Sequence, residues 1–257
     1  MSYALITGAS KGIGKAMAFE LASRGYNLLL VARSAELLKT VAEKITVELG
    51  SKVNYLAIDL SSPTSSQAIF DWCVSNKYEI SVLVNNAGYG LSGSFEEYSL
   101  DENMNMVQVN TSTVVQLCQR FLPMLKKQSQ SYILNIASSA AYQAVPRLSL
   151  YAATKVFILN FSRGLRQELK NSCVSVTTVC PGATDTDFAS RANVGAKALK
   201  AAEKVNMTPQ DVAKIAIDGM FKHKAEIVPG LINKLNVFAA WLLPKELLER
   251  IAEKLYQ

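Results

Sequence analysis

Two side chains that could move a proton lie four residues apart near the middle of the chain. Tyr151 and Lys155 have the spacing that places two side chains on one face of a helix. An isolated phenol has a pKa of about 10, and a nearby ammonium group favours its ionised form. Such a pair could exchange a proton with a substrate near neutral pH. Tyrosine and lysine also meet by chance on many helices, so the rest of the chain must decide between the two interpretations.

The composition argues against several classes of function. The 257 residues are enough for one large α/β domain with a full core, and the formal charge is +6. Basic runs interleaved with aromatic residues do not occur, so we expect no nucleic-acid partner. His223 is the only histidine, which excludes a multi-histidine metal site and argues against a serine–histidine triad. We therefore expect no metal.

The cysteine spacing and the length of the apolar runs indicate the cellular compartment of the protein. The four cysteines are widely spaced, which is typical of free thiols in a reducing compartment. The amino terminus reads as a strand rather than a signal peptide, and the apolar runs are shorter than the roughly 20 residues of a membrane span. The sequence predicts a cytoplasmic protein.

A glycine-rich turn follows the first apolar run. Residues 3–6 read as a strand, residues 7–14 read Thr-Gly-Ala-Ser-Lys-Gly-Ile-Gly, and a helical pattern comes next. A strand, a glycine turn and a helix can place backbone N–H groups and a positive helix end against a phosphate. A turn without a ligand is the alternative. The residues expected to bind a dinucleotide here are Gly8, Ser10, Lys11, Gly12, Ile13 and Gly14.

The second predicted strand ends in a basic residue. Residues 26–33 end at Arg33, and the next acid is Glu36. At this position of a dinucleotide-binding fold, an acid binds the ribose 2′-hydroxyl, whereas an arginine accommodates a 2′-phosphate. With Lys11 as a second cation, the pattern favours NADP(H) over NAD(H). Two exposed loop cations without a ligand are the alternative.

Polar and small residues follow the other predicted strands, where parallel sheets bind ligands. Asp59, after the third strand, could cap its own turn or accept a hydrogen bond from an adenine amino group. Asn110 interrupts an apolar helical pattern over 101–127 and is a candidate for a functional kink or a water site. The residues after the fourth, fifth and sixth strands are Asn86, Ala87 and Gly88, then Ser138, then Pro181 and Gly182.

Taken together, these motifs resemble the short-chain dehydrogenase/reductase family in its compact single-domain form. Residues 7–14 are similar to the family's TGxxxGxG loop and residues 85–88 to its NNAG element. Pro181 and Gly182 with Thr186 resemble the segment that holds the nicotinamide carboxamide. Four residues match the catalytic tetrad in order and spacing, namely Asn110, Ser138, Tyr151 and Lys155.

The resemblance covers almost the whole chain and implies both a fold and an assembly. The expected fold is α/β, a Rossmann-type doubly wound parallel seven-stranded sheet with helices on both faces. Alternating short apolar strands and helices point to the same class. The resemblance also implies a homodimer or homotetramer paired through the helices near 103–127 and 151–170.

The resemblance implies a role for each member of the tetrad. Tyr151 would be the general acid or base, and Lys155 would favour its phenolate and bind the nicotinamide ribose. Ser138 would polarise a carbonyl oxygen, and Asn110 would hold a water that relays protons. The expected activity is hydride transfer between NADP(H) and a hydrophobic ketone, aldehyde or secondary alcohol. A non-catalytic NADP(H)-binding redox-responsive regulator on the same fold is the alternative.

Two segments lie outside these motifs within a single predicted domain, 1–257. Residues 187–207 have weak periodicity and are expected to form a substrate flap that includes Phe188. The apolar C-terminal tail, 231–257, is expected to cover the core or a subunit interface. Alternatively, the tail walls an apolar substrate pocket or touches a membrane surface.

Overall fold

A parallel sheet of seven strands forms the centre of the protein, in the order β3-β2-β1-β4-β5-β6-β7. The computed structural model describes residues 2–185, 192, 195, 199–200 and 206–256. The chain builds β1 to β3 outward in one direction and then returns to place β4 beside β1, which makes a topological switch point between these two strands. The predicted fold class is confirmed. The strands are β1 Tyr3–Thr7, β2 Asn27–Ala32, β3 Val53–Ala57, β4 Ile80–Asn85, β5 Ser131–Ile136, β6 Val174–Val179 and β7 Glu226–Ile227.

Helices cover both faces of the sheet. Because side chains alternate along a strand, Leu28 and Leu30 of β2 pack in one apolar cluster, and Leu29 and Val31 pack in the other. Both clusters are buried, as expected of a parallel sheet. The described helices are α1 Gly12–Ser23, α2 Ala35–Leu49, α3 Ser65–Ser75, α4 Leu100–Val107, α5 Thr113–Leu125, α6 Ser149–Glu168, α7 Pro209–Phe221, α8 Leu231–Leu242 and α9 Lys245–Tyr256.

The helical pattern over 101–127 is interrupted. A π-helical turn, Gln108–Ser112, separates α4 from α5 and carries Asn110. Such turns often mark functional sites, because the extra residue redirects side chains. The interruption predicted at Asn110 therefore takes the form of this turn, while Pro123 lies near the end of α5.

The C-terminal tail forms two helices, α8 and α9, and most of its large apolar side chains are exposed. Leu235, Phe238, Trp241 and Leu242 of α8 are all exposed to solvent. The expectation that this stripe covers the core is wrong, whereas a subunit interface stays a prediction. Among the residues described, no helix has both the length and the apolar character needed to cross a bilayer.

Candidate active site

A buried polar network joins the strands that carry the site. The Asn85 side-chain amide donates to Asn135 Oδ1 across β4 and β5, at 2.8 Å. Asn135 Nδ2 in turn donates to the hydroxyl of Ser162 on α6, at 2.9 Å. Buried polar groups that find partners fix one arrangement of the elements. Asn85 was recognised within its motif. Asn135 and Ser162 were not, although an amide inside a fully buried strand was a usable signal.

The glycine turn and the loop after β4 interlock. Gly8 and Gly12 adopt positive φ angles of 67° and 54°, a conformation that glycine tolerates best. A Cβ at Gly14 would lie 2.3 Å from both the Gly8 carbonyl oxygen and Asn86 Nδ2. Asn86 Nδ2 donates to the carbonyl oxygens of Thr7 and Gly8, at 2.9 and 3.2 Å. The glycines therefore permit a close contact between two loops at the switch point.

The amino end of α1 suits an anionic group. Its N-cap residue, Lys11, makes no side-chain capping bond, and the first turn of α1 contains no acid. The N–H groups of a first helical turn lack intrahelical acceptors and carry a partial positive charge. The turn therefore has the backbone geometry and the charge that a dinucleotide pyrophosphate requires.

Arg33 lies next to the glycine turn. It follows β2, whose Val31 pairs with Thr7 of β1, so the carboxyl ends of the two strands adjoin. The Arg33 side chain is exposed and has no hydrogen-bond or ion-pair partner within the described ranges. Ser34, the next residue, caps α2 by accepting from the Leu37 N–H at 3.3 Å. The predicted position of Arg33 at a strand end next to the glycine turn is thus observed.

Asp59 takes the capping role considered for it. Its Oδ1 accepts from the Ser61 N–H at 3.0 Å, which closes the turn after β3. A contact of Asp59 with adenine stays a prediction.

Lys155 is the buried charge of the site, with 4% of its surface exposed. Its Nζ donates to the carbonyl oxygen of Ile136 at 2.9 Å and lies 5.7 Å from the centroid of the Tyr151 ring. A Cβ at Gly88 would lie 3.2 Å from this Nζ and 3.1 Å from Asn110 Oδ1. Burial lowers the pKa of Lys155 to about 8, because the ammonium loses its hydration.

Tyr151 lies in the first turn of α6 and is buried in a small apolar cluster. Around it pack Met106, Val145, Leu148 and Ala152. The Tyr151 ring therefore lies among apolar side chains, with the Lys155 ammonium near it. The predicted placement of the pair on one helix face is confirmed.

Asn110 clamps the loop after β4 to α6. Its Oδ1 accepts from the Tyr89 N–H at 3.1 Å, and its Nδ2 donates to the Tyr89 carbonyl oxygen at 2.9 Å. The same Nδ2 donates to Thr154 Oγ1 at 3.1 Å. The side-chain amide is thus used for positioning, and its link to a water stays a prediction.

Ser138 follows β5 and caps a short 3₁₀ helix, Ser139–Tyr142. Its Oγ accepts from the Ala140 N–H at 3.1 Å, which orients the hydroxyl. Ser138 lies two residues beyond Ile136, the residue whose carbonyl holds Lys155. The end of β5 therefore carries both Ser138 and the carbonyl group that binds the Lys155 ammonium.

Pro181 and Gly182 close the site on the side of β6. The Ser139 N–H donates to the Pro181 carbonyl oxygen at 2.8 Å, so this loop is tied to the one that follows Ser138. A Cβ at Gly182 would lie 2.2 Å from Oδ1 of Asn233. Thr186 and most of the predicted flap, including Phe188, lie outside the described residues.

The sequence did not predict that Asn233 lies at the site. It is buried on the inner side of α8, where its Nδ2 donates to the Pro229 carbonyl oxygen at 2.8 Å. The one available signal was an amide within an apolar helical run, the same signal that singled out Asn110.

Known proteins resemble this chain in sequence and in structure. The family model described as short chain dehydrogenase matches residues 2–197. A very-long-chain 3-oxoacyl-CoA reductase of Anas platyrhynchos is 38% identical over 188 residues, which are 70% of this chain and 59% of that protein. The 17-beta-hydroxysteroid dehydrogenase type 3 of Mus musculus is 31% identical over 260 residues, 98% of this chain and 83% of that protein.

Among solved structures, a short-chain dehydrogenase from Sphingobium yanoikuyae in complex with NADPH superposes with a TM-score of 0.83 at 30% identity. The match covers 99% of this chain and 94% of that one.

Proposed function

The chain belongs to the short-chain dehydrogenase family, and on this premise we propose that it transfers a hydride between NADP(H) and a carbonyl or alcohol substrate. One observation carries the proposal. The buried ammonium of Lys155 lies beside the Tyr151 ring, and Gly88 lies close to both this ammonium and Asn110 Oδ1. Within the described residues, no carboxylate pairs with this ammonium. A buried cation without an anionic partner stabilises negative charge that develops nearby.

Tyr151 supplies the proton in the reductive direction. The hydride itself comes from the bound nicotinamide cofactor. As the carbonyl oxygen gains negative charge, the Tyr151 hydroxyl donates its proton to that oxygen. The phenolate that remains is stabilised by Lys155, and the ammonium recovers in this pairing part of the stabilisation that it lost on burial. In the oxidative direction the phenolate is the base.

Ser138 polarises the same carbonyl oxygen. A hydroxyl can accept two hydrogen bonds and donate one. Ser138 Oγ already accepts from Ala140, so its proton is directed toward another acceptor. Donation to the substrate oxygen strengthens as that oxygen becomes negative, which lowers the barrier.

Asn110 is proposed to position the site and to hold a relay water. Its bonds to Tyr89 and Thr154 join the loop after β4 to α6, next to Lys155. A water beside this amide would pass protons between Lys155 and solvent.

The preference for NADP(H) is proposed from Arg33, which follows β2, and Lys11, the N-cap residue of α1 in the turn after β1. We predict that Arg33→Asp lowers the ratio of kcat/KM for NADPH to that for NADH by about 10-fold or more, because a bidentate charged contact is lost. Steady-state kinetics with both cofactors measures the ratio.

Lys39→Asp on α2 is the matched control for Arg33→Asp, since it makes the same charge change on an exposed lysine. An unchanged ratio in Arg33→Asp would refute the 2′-phosphate contact.

A hydrophobic substrate is proposed on two grounds. The side chains around Tyr151 are apolar, including Met106, Val145 and Leu148. The names of two relatives, a very-long-chain 3-oxoacyl-CoA reductase and a 17-beta-hydroxysteroid dehydrogenase, refer to a long acyl chain and a steroid, which are largely apolar groups. We therefore propose a hydrophobic ketone, aldehyde or secondary alcohol.

A substrate panel tests this function. NADPH oxidation by the purified chain is followed with 3-oxoacyl thioesters, ketosteroids, aliphatic ketones and aldehydes, and alcohols are tested with NADP⁺. We expect kcat/KM to rise with the apolar size of the carbonyl compound. NADPH binding without turnover on any member of the panel would instead favour the non-catalytic regulator.

A cytoplasmic homodimer or homotetramer is also proposed. Cys73, Cys118 and Cys180 are free and buried, as in proteins of a reducing compartment. Met104 on α4 and Phe157 on α6 are exposed on the helices predicted to pair subunits. Light scattering on the purified chain measures the assembly, and a monomer at micromolar concentration would contradict it.

A further inference from the structure

The consecutive helices α8 and α9 both present apolar side chains to solvent. We call these side chains together the hairpin face. It contains Leu231, Leu235, Phe238, Trp241, Leu247 and Ile251, and the exposed fraction of Trp241 is 80%. On α8, Leu231, Leu235 and Phe238 recur at intervals of four and three residues, which places them on one side of the helix. Large exposed apolar patches mark surfaces that bind a partner or a membrane.

Buried contacts on the inner side fix the orientation of this face. Asn233 is 5% exposed and packs against Gly182, and its amide is bonded to the Pro229 carbonyl oxygen. On α9, Ala252 is buried. On α8, Asn233 is therefore turned inward, while the leucines and aromatic residues are turned outward.

Charges are segregated around the hairpin face. Lys234 is the only charged residue of α8. On α9, Arg250 and Lys254 follow Leu247 by three and seven residues, so they share its side of the helix. The acids of α9 lie on the flank away from Leu247 and Ile251, at Glu246, Glu249 and Glu253. The apolar surface is thus bordered by bases.

We propose that the hairpin face docks on an anionic lipid surface. Helices that lie in a bilayer interface bury leucine and aromatic side chains and keep lysine and arginine near the headgroups. Tryptophan is enriched at that depth, and each base near an anionic membrane adds favourable electrostatic energy. Lys234, Arg250 and Lys254 complement a negative surface in this way.

A second copy of the chain fits this face less well. A two-fold contact presents the same patch on both subunits. The bases that border one hairpin face would meet the bases of the other, while the glutamates of α9 lie on the far flank. The charge pattern therefore favours anionic lipid over self-association.

Vesicle binding by the full chain tests the proposal. The chain is sedimented with vesicles of phosphatidylcholine alone and of phosphatidylcholine with phosphatidylglycerol. We expect binding only to the anionic vesicles, and weaker binding at high salt. Leu235→Glu with Phe238→Glu should abolish it. Lys234→Gln with Arg250→Gln should weaken it about 25-fold, since each base contributes about fivefold.

Val47→Glu is the matched control, because Val47 is an apolar residue 85% exposed on the distant helix α2. It should bind vesicles as the unmodified chain does. A spectroscopic readout avoids the apolar-to-acid variants altogether. With Trp72→Phe, the remaining tryptophan is Trp241, and its emission should shift to shorter wavelength on anionic vesicles.

Three results would overturn the proposal. The first is no sedimentation and no emission shift with anionic vesicles. The second is binding that the hairpin and control variants alter equally. The third is a dimer that Leu235→Glu with Phe238→Glu dissociates, without vesicle binding, which would assign the hairpin face to a second copy of the chain.

Discussion

Replacing Lys155 by methionine should change how stability depends on pH. The buried ammonium has a pKa of about 8 in the folded chain, against 10.5 for an ordinary lysine. Between these values the unfolded chain binds more protons, so the free energy of unfolding rises with pH across this window. The difference between the two pKa values corresponds to about 3 kcal/mol. Methionine fills a similar volume without a charge, so Lys155→Met should lack this rise.

Urea unfolding, followed by circular dichroism at several pH values from 7 to 10.5, measures the effect. The stability of Lys155→Met relative to the unmodified chain should be highest at pH 7 and should fall by about 3 kcal/mol across the window. Lys39→Met, at an exposed lysine, is the control. A difference that stays constant from pH 7 to 10.5 would refute the burial of an unpaired ammonium.

Two further predictions concern close contacts of glycines. Gly14→Ala should destabilise the chain by about 1–3 kcal/mol and weaken NADPH binding, because its Cβ would lie 2.3 Å from the Gly8 carbonyl oxygen. Thermal unfolding measures the stability, and fluorescence titration measures the NADPH affinity. Gly164 lies on α6 with open space around it, so Gly164→Ala should instead stabilise the chain by up to about 1 kcal/mol. If both variants lose the same stability, the close contact of Gly14 with the Gly8 oxygen is contradicted. Gly182→Ala should cost stability through its clash with Asn233, and Gly182→Ala with Asn233→Ala should cost less than the sum of the single changes. Additive costs would show that the two residues are not coupled.

The fold and the centre of the site could be predicted because their signals are local. Most of the central strands are short apolar runs, and ligand-binding residues follow within a few positions, as Ser138 follows β5. The four-residue spacing of Tyr151 and Lys155 needs only helical geometry. The parallel sheet then brings separate strand ends together, so residues far apart in sequence converge without any long-range signal.

What could not be predicted depends on contacts between distant segments. The contact of Asn233 with Gly182 joins the tail to the loop after β6, and no sequence pattern at either residue predicts this contact. The outward direction of Phe238 and Trp241 was not predictable either, because periodicity shows that a helix has an apolar side but not what that side meets. Asp59 had two reasonable roles, and only the geometry of its turn identified the capping bond.

Proton transfer to the substrate depends on the Tyr151 hydroxyl, and Tyr151→Phe removes that group alone. The direct measurement compares NADPH affinity and NADPH turnover in this variant with those of Tyr55→Phe, which removes a phenol hydroxyl from an exposed position on β3. We predict that Tyr151→Phe binds NADPH within about twofold of the unmodified chain and loses at least about 100-fold in kcat, the usual contribution of a general acid, while Tyr55→Phe keeps both. Turnover by Tyr151→Phe within a few-fold of the unmodified chain would contradict the central claim.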